Sequence, residues 1–466
     1  MPSSLVFPPG FRFGTSTSAF QIEGATDADG RGVSIWDVFA AEPGRVLRGD
    51  SPAVGIDHYH RYAEDVALLA QLGVQDYRFS FAWPRILPTG RGTVERRGLD
   101  FYDRLIDALL TAGINPVPTL YHWDLPLALQ EAGGWMARET AEAFADYASL
   151  LGEHFADRVT DWLTLNEMSV HTLYGHGLSE HAPGLGLELA ALPAAHYQLL
   201  AHGLAVQRLR AAGAQRIGVA NQHFPVIPAS DDDADLIAAH VFADLTNWTF
   251  GDPILRGVYP SDEIAGGILQ LTGMSPEQLA ADLRVISEPL DIYGVNYYEP
   301  TRIGAPQADR DSSGVLEVDI PEGLPFAAVP IEGVERTDFG WSIVPSGLGD
   351  ILRQLRERYP ELPPIIITEN GASFSDGPGA DGRVRDQRRI RFLDAHLRAL
   401  SDEMAAGANV VGYYVWSIID NFEWAAGFSE RFGLVHVDLD TLVRTPKDSY
   451  YWYRDLIAAQ SPARSV

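Results

Sequence analysis

Two glutamates stand at the ends of short apolar stretches that have the composition of buried strands. Glu167 follows one such stretch and Asn166, and Glu369 follows another and precedes Asn370. Cleavage of a glycosidic bond requires a protonated carboxyl group to assist the departing oxygen and an ionised one to attack or stabilise an oxocarbenium-like centre. Either glutamate alone would also fit a surface or ion-paired carboxylate. Together, each beside an asparagine, they favour a catalytic pair, and the pairing leaves open which one is the acid.

Aromatic and amide side chains gather at the ends of the other apolar stretches. Sugars suit both types, because their hydroxyls need donors and acceptors while their C–H faces stack on indole rings. Core packing is the alternative for any single tryptophan, but the repeated pairing with polar neighbours favours sugar binding. The residues concerned are His122, Trp123, Asp124, Asn296, Tyr297, Tyr298, Trp416, Glu423 and Trp424.

The elements that must position these residues alternate between apolar runs and stretches of helical period. The apolar runs predict strands at residues 12–18, 76–82, 115–121, 160–165, 216–221, 290–296, 364–368 and 409–416. The helical period predicts helices at 59–72, 98–112, 137–155, 192–212, 346–359 and 386–406. Strands that alternate with helices indicate a parallel sheet. Eight such units favour an α/β fold of the (β/α)8 TIM-barrel type over an open doubly wound sheet. No Gly-x-Gly-x-x-Gly follows an early strand, which weakens a dinucleotide-binding alternative.

The chain is longer than the barrel itself requires. A typical barrel takes about 250 residues, so we expect the surplus in long loops at 22–56, 171–193, 224–289 and 298–343. Loops that follow strands build the active face of such a barrel. Both glutamates should therefore reach one cavity. Because no low-complexity linker divides the chain, we expect a single catalytic domain over residues 1–466.

Composition and charge exclude several classes of function. The 466 residues are 46% hydrophobic and 21% charged, which is ordinary for a soluble protein. The absence of cysteine excludes a disulfide framework, a thiolate zinc site and a cysteine nucleophile. A net charge of -28 would repel nucleic acid and anionic membranes. With no signal-peptide pattern and no membrane-length apolar run, we expect a cytoplasmic protein without nucleic-acid or membrane partners.

Several motifs, taken in order, resemble those of family 1 glycoside hydrolases, the β-glucosidase group. They lie at residues 11–24, 57–65, 77–86, 431–434 and 447–453, and the resemblance covers about residues 7–458. It implies a retaining enzyme that removes terminal non-reducing β-D-glucosyl, and related β-D-glycosyl, residues by double displacement. The implied substrates are β-glucosides, cello-oligosaccharides and aryl glycosides. No metal or organic cofactor is implied, and a homo-oligomer stays an open alternative.

The resemblance also assigns roles. It implies that Glu167 is the acid/base and Glu369 the nucleophile, with Asn296 and Tyr298 beside the reacting centre. Arg78 is implied next to the nucleophile, where its charge should keep that carboxylate ionised; a structural ion pair within the barrel is a compatible alternative. The implied sugar-binding residues are Gln21, His122, Trp123, Asn166, Trp416, Glu423, Trp424 and Phe432.

One position departs from the family pattern. The family usually has Asn-Glu-Pro around the acid/base, and this chain has Met168 in place of the proline. Methionine should give Glu167 more backbone freedom and add a flexible apolar side chain near the leaving group. Because both carboxylates remain, we do not expect a loss of activity, and Met168 leaves the aglycone preference and the exact pose of Glu167 open.

Two other functions compete with this interpretation. A 6-phospho-β-glycosidase typically has serine at the position of Glu423. The carboxylate of Glu423 would repel a phosphate at the sugar's 6-position. A non-catalytic sugar-binding barrel commonly loses one carboxylate, and this chain keeps both. Metal binding is also weak as an alternative. His58 and His60 are two residues apart and do not share a helix face, and residues 231–233 predict a solvated turn rather than a calcium site.

Overall fold

Eight parallel strands close into a barrel at the centre of this computed structural model, which describes residues 5–307, 314–316, 319–321 and 323–460. Each strand pairs with its neighbours in the sequence, and the last pairs with the first. The predicted (β/α)8 barrel is confirmed. The strands are β1 Arg12–Ser16, β2 Asp76–Ser80, β3 Asn115–Tyr121, β4 Asp161–Asn166, β5 Arg216–Gln222, β6 Tyr293–Asn296, β7 Ile365–Asn370 and β8 Val410–Trp416.

The barrel strands are buried along almost their whole length, and apolar residues fill much of each strand while polar residues stand near its ends. Their register brings polar residues together at the carboxyl ends. Glu369 of β7 pairs with Asn296 of β6, and Ser16 of β1 pairs with Arg78 of β2. Residues that are distant in the chain thus become neighbours on one face of the barrel.

An outer layer of helices packs its apolar stripes against the strands. The helix Arg96–Thr111, for example, buries Leu99, Leu105, Ile106 and Leu109, which recur at helical spacing. All six predicted helices are present, with ends that differ by one or two residues. The longer helices are His58–Leu72, Arg96–Thr111, Arg138–Phe155, Leu192–Ala211, Pro345–Arg358, Gln387–Ala405 and Asp448–Gln460. Shorter α-helical turns are Ala19–Ile22, Ile35–Ala41, Trp83–Ile86, Leu127–Glu131 and Met168–Val170.

The prediction of a long loop at residues 224–289 is wrong, because this segment is mostly helical. Its helices are Asp233–Ala243, Thr249–Arg256, Asp262–Thr272 and Pro276–Ile286, with a π-helical turn at Asp244–Trp248. Two of them begin at clear caps. The hydroxyls of Ser261 and Ser275 accept the backbone N–H of the third residue of the helix, which satisfies an otherwise unpaired donor.

A small sheet stands beside the barrel above the carboxyl end of β6. Thr301–Gly304 pairs with Val226–Pro228 in parallel and with Ala327–Ala328 in antiparallel orientation. The helix Asp233–Ala243 packs on it, and Phe242 joins Phe326 in a separate apolar cluster. We call this unit the satellite sheet. A second small sheet pairs Val435–Val437 with Arg444–Pro446. No helix in the described part of the chain is long and apolar enough to cross a membrane.

Candidate active site

The carboxyl ends of the barrel strands open into a cavity of about 520 Å³ that both glutamates line. Glu369 comes from the end of β7, and Glu167 directly follows β4. The cavity is therefore built by loops and strand ends on the face predicted to be active. The predicted site residues that line it are His122, Trp123, Glu167, Tyr298, Glu369, Trp416, Glu423, Trp424 and Phe432. The other four, Gln21, Arg78, Asn166 and Asn296, lie behind this wall and bond to it or to each other.

Glu369 is buried and held by a cation and a phenol. Its Oε1 accepts a hydrogen bond from Nη1 of Arg78, and its Oε2 accepts one from the hydroxyl of Tyr298 at 2.5 Å. Burial raises the pKa of Glu369, while the Arg78 charge and both hydrogen bonds lower it. The expectation that Arg78 favours the ionised form is correct for that contact, but burial outweighs it. The pKa of Glu369 is therefore raised rather than lowered.

Glu167 is buried in a different electrostatic setting. Its Oε1 accepts one hydrogen bond, from Nδ2 of Asn296 at 2.8 Å. Burial raises the pKa of Glu167 well above its usual value, and the negative charge of Glu369 raises it further. Because Arg78 bonds directly to Glu369 and not to Glu167, the two carboxyl groups are pushed toward opposite protonation states.

The backbone at Glu167 adopts an uncommon conformation and makes one hydrogen bond to the neighbouring strand. Its φ of 46° lies in the left-handed region, and its N–H donates to the carbonyl of Ala220 at 2.8 Å. The side chain of Met168 is fully buried in the apolar core and does not line the cavity. The expectation that Met168 adds an apolar side chain near the leaving group is therefore wrong, since this side chain packs inward instead.

A buried amide network joins the two carboxylates. Asn166 Oδ1 accepts hydrogen bonds from Nη2 of Arg78 at 2.6 Å and from Nδ2 of Asn296 at 3.1 Å. The hydroxyl of Thr368 donates to Asn296 Oδ1 at 2.6 Å, which fixes the amide orientation. His122 Nε2 lies 3.1 Å from Nδ2 of Asn166. Burial lowers the pKa of His122 well below its usual value, so its imidazole is neutral. The network leaves the catalytic oxygens little freedom to rotate.

Hydrogen bonds orient the polar side chains at the far end of the cavity. Glu423 Oε2 accepts from Nδ2 of Asn421 at 2.8 Å and from Nε2 of Gln21 at 3.4 Å. Gln21 also donates to the carbonyl of Phe422 at 2.9 Å. A carboxylate and an amide held side by side can accept and donate to neighbouring hydroxyl groups of one ring.

Aromatic rings form the remaining walls. Trp424 packs on Trp123 with ring centroids 4.5 Å apart, and Trp416 stacks with His122 at 5.9 Å. Phe432 lies against Trp341 at 5.7 Å. These rings present flat apolar faces beside polar groups, an arrangement that suits the C–H faces and hydroxyls of a sugar.

Five residues of the cavity were not predicted. Gln222 is the last residue of β5, one position beyond the predicted strand, so a longer strand would have identified it. Val170 and Tyr174 lie on the helical turns that follow β4, and His181 and Trp341 come from loops; the sequence does not determine the direction of these segments. The complete set is Val170, Tyr174, His181, Gln222 and Trp341.

The residues weighed as metal ligands have other partners. His58 Nδ1 bonds to Asp65 at 2.8 Å, and His60 Nδ1 bonds to Asp57 at 2.5 Å. Asp233 begins a helix rather than a metal-binding loop. No group of three or more histidine, aspartate or glutamate side chains suited to a metal ion occurs among the described residues.

Comparisons with known proteins point in one direction. A sequence model of the family described as glycosyl hydrolase family 1 matches residues 3–462. Beta-glucosidase A of Thermotoga maritima is 43% identical over 457 residues, which cover 97% of both chains. A bifunctional beta-D-glucosidase/beta-D-fucosidase of Bifidobacterium breve is 41% identical over 474 residues, covering 98% of this chain and 99% of the other. A solved family 1 β-glucosidase from T. maritima, in complex with isofagomine lactam, matches with a TM-score of 0.90 and 42% identity over 98% of this chain and 99% of that chain.

Proposed function

The chain belongs to glycosyl hydrolase family 1 and is a retaining β-glucosidase, and we propose that Glu369 is its nucleophile and Glu167 its acid/base. The observation that carries this assignment is the asymmetry of their contacts. Glu369 bonds to the guanidinium of Arg78 and the hydroxyl of Tyr298, whereas Glu167 bonds to a neutral amide. A cation beside one carboxylate favours its ionised form. Glu369 is thus the one that starts as an anion.

The first step forms a covalent intermediate. Protonated Glu167 donates its proton to the glycosidic oxygen while a carboxylate oxygen of Glu369 attacks the anomeric carbon. The bond from that carbon to the leaving oxygen breaks, and the aglycone departs as a neutral alcohol. Carboxyl groups about 5–5.5 Å apart suit this direct attack.

The second step reverses the role of Glu167. Once Glu369 is esterified its negative charge is gone, so the charge that raised the pKa of Glu167 is removed and that pKa falls. Ionised Glu167 then takes a proton from water as the water oxygen attacks the anomeric carbon. The ester bond to Glu369 breaks, and the two inversions give net retention.

The substrate is held as a terminal β-D-glucosyl residue. We assign its hydroxyls to His122 and Glu423, which line the cavity, and its C–H faces to the rings of Trp123, Trp416, Trp424 and Phe432. Gln21, Asn166 and Asn296, also predicted to bind the sugar, lie behind this wall and orient its polar groups through hydrogen bonds. The name of the B. breve relative makes β-fucosides a second substrate class to test. Aryl β-glucosides and cello-oligosaccharides are further candidates.

The competing functions have less support. A 6-phosphoglycoside would place its phosphate near the carboxylate of Glu423, which repels it. A non-catalytic barrel would not need two buried carboxyl groups, one bonded to a cation and the other to a neutral amide. The single catalytic domain over residues 1–466, the cytoplasmic location and a homo-oligomer stay predictions.

Azide distinguishes the two glutamates. The Glu167→Ala variant should still be glycosylated by an activated aryl β-glucoside, and azide should restore turnover and yield the β-glucosyl azide. The Glu369→Ala variant should lose hydrolysis, and azide should yield only the α-linked product. The exposed Glu64, which pairs with Arg61, gives a matched control in Glu64→Ala with unchanged activity. The opposite pattern of azide products would mean that the two roles are reversed.

A further inference from the structure

Arg78 holds the nucleophile from inside the barrel, and other contacts fix its guanidinium group. Its Nε donates to the hydroxyl oxygen of Thr119 at 3.0 Å, and its Nη2 donates to Oδ1 of Asn166 at 2.6 Å. The third nitrogen, Nη1, donates to Oε1 of Glu369 and, at 3.4 Å, to the carbonyl of Thr368. Because the guanidinium group is planar and rigid, the contacts at Nε and Nη2 determine where Nη1 lies.

Thr119 lies on β3, where the sheet fixes its backbone. It pairs with Ser80 of β2 and Leu163 of β4, and its carbonyl accepts the backbone N–H of Phe81 at 3.0 Å. The side chain is fully buried, and its branched Cβ restricts χ1. The hydroxyl oxygen is therefore held at one place beside Nε of Arg78.

Packing alone does not require a hydroxyl at this position. Val117 precedes Thr119 by two residues on the same face of β3 and belongs to an apolar cluster drawn mainly from barrel strands. Branched apolar side chains usually fill the interior of such barrels, and valine has nearly the shape of threonine. What the hydroxyl adds is an acceptor for Arg78, whose buried Nε–H would otherwise lose a charge-assisted hydrogen bond.

The charge of Arg78 acts on the titratable groups around it. Burial raises the pKa of Glu369, and Arg78 is the strongest influence that lowers it. Burial raises the pKa of Glu167 and lowers that of His122, and the charge of Arg78 lowers the pKa of both. Of these three groups, Glu369 is the one bonded to the guanidinium group, so a displaced guanidinium group affects Glu369 most.

The two chemical steps depend on this cation in different ways. In the first step the carboxylate of Glu369 loses its negative charge as it attacks, so Arg78 stabilises the starting state. In the second step the ester bond breaks, and its electron pair returns to the Glu369 carboxylate beside Nη1. A cation placed where negative charge develops lowers the barrier. A displaced Arg78 should therefore slow the second step more than the first.

We propose that Thr119 is a positioning residue for the breakdown of the glycosyl-enzyme, because its hydroxyl oxygen places the guanidinium group of Arg78 against Glu369. In that step water forms a bond to the anomeric carbon and gives its proton to Glu167, while the bond to Glu369 breaks and leaves a carboxylate beside Arg78. The inference rests on the proposed function, which makes Glu369 the nucleophile.

Thr119→Val removes the acceptor and keeps the shape of the side chain. 2,4-Dinitrophenyl β-glucoside has a leaving group that departs readily, so kcat reports the second step and kcat/KM the first. We expect kcat to fall by about tenfold, the lower end of what a hydrogen bond to a charged group contributes. KM should fall with it, because the glycosyl-enzyme accumulates, and kcat/KM near neutral pH should change much less. The acid limb of kcat/KM should move to higher pH, since a displaced cation lowers the pKa of Glu369 less.

Reactivation measures the second step directly. Wild type and Thr119→Val, trapped with a 2-deoxy-2-fluoro-β-glucoside and freed of excess reagent, should regain activity in water at rates that differ by about tenfold. Equal rates of reactivation would overturn the proposal, as would a fall in kcat/KM with an unchanged kcat.

Two matched variants separate positioning from folding stability. Thr119→Ser keeps the oxygen and should restore kcat and the acid limb to nearly wild-type values. Thr164→Val removes an equally buried hydroxyl on β4 that lies 2.6 Å from Nδ1 of His202, so it should lower the Tm and leave kcat, KM and the acid limb unchanged. If Thr119→Val behaves like Thr164→Val, Thr119 acts on stability alone and the proposal is wrong.

Thr119→Ala carries the same test if Thr119→Val does not fold, because it also lacks the oxygen and its smaller side chain introduces no clash. A wild-type kcat in folded Thr119→Ala would contradict the proposal. The proposed function is tested separately on the wild type. If the wild type forms no glycosyl-enzyme on Glu369, the proposed function fails; if it does and the Thr119 variants match it, only the inference about Thr119 fails.

Discussion

Replacing Tyr298 by phenylalanine removes one hydrogen bond from the nucleophile and keeps the ring. The hydroxyl lies 2.5 Å from Oε2 of Glu369, within a site that excludes most solvent. A hydrogen bond to a charged group contributes about 1.5–3 kcal/mol, and one pKa unit corresponds to about 1.4 kcal/mol. The loss should therefore raise the pKa of Glu369 by about one to two units. Arg78 remains in place, so the carboxylate still ionises.

The change should appear in one limb of the pH profile. Activity of the free enzyme requires ionised Glu369 and protonated Glu167, which gives a bell-shaped dependence of kcat/KM on pH. The acid limb should move by about one to two units to higher pH in Tyr298→Phe. The basic limb, which Glu167 sets while Glu369 is ionised, should stay in place.

Initial rates with 4-nitrophenyl β-glucoside across the pH range give both limbs. Tyr297→Phe is the matched control, because the hydroxyl of Tyr297 donates to the carbonyl of Val344 at 2.6 Å and not to either glutamate. Its profile should equal that of the wild type. If the acid limb of Tyr298→Phe does not move, or if the basic limb moves instead, the assignment of Glu369 as the ionised partner is refuted.

Three further substitutions probe other contacts. Asn296→Ala removes the hydrogen bond that Nδ2 of Asn296 donates to Glu167 at 2.8 Å, so the pKa of Glu167 should rise. The basic limb of the pH profile of kcat/KM should then move about one pH unit higher, and a basic limb that does not move would argue against that contact. Lys447→Met removes the ammonium group that lies 2.8 Å from the carboxylate of Asp420 and leaves that buried charge without this partner. Urea denaturation should show a free energy of unfolding lower by about 3 kcal/mol, and an unchanged value would mean that the ion pair is not stabilising. Burial raises the pKa of Glu299 from its ordinary value of 4.5 to about 7, so the folded state holds the proton more tightly than the unfolded state. The free energy of unfolding should therefore fall by about 3 kcal/mol as pH rises from about 4.5 to about 7. The Glu299→Gln variant should lack this loss, so the Tm of the variant minus that of the wild type should increase between about pH 5 and pH 8. A difference in Tm that does not change with pH would contradict a buried carboxyl group that titrates in this range.

The barrel could be predicted because its strands are buried on both faces. The strand Ile365–Asn370, for example, begins with three buried isoleucines and ends in Thr368, Glu369 and Asn370. Once eight such strands are placed in order, closure brings the ends of β4 and β7 to one face. The pairing of Glu167 with Glu369 follows from this geometry, and the family resemblance supplied their separate roles.

Other features depend on packing that the sequence pattern does not contain. Met168 points into the core because the left-handed backbone at Glu167 turns the chain there. Tyr174 reaches the cavity from the π-helix His171–Gly177 and Trp341 from a long loop, and the paths of both segments depend on distant contacts. The pKa of Glu369 depends on burial, which raises it, and on the charge of Arg78, which lowers it. The sequence indicates the charge of Arg78 but not the extent of burial.

Trapping the covalent intermediate tests the central claim most directly. An activated 2-deoxy-2-fluoro-β-glucoside slows both steps, because fluorine destabilises the oxocarbenium-like transition states, while its good leaving group lets the first step proceed. The glycosyl-enzyme should then accumulate, and peptide mass spectrometry should find the sugar on Glu369. A label on Glu167, or inactivation without any covalent label, would contradict the mechanism.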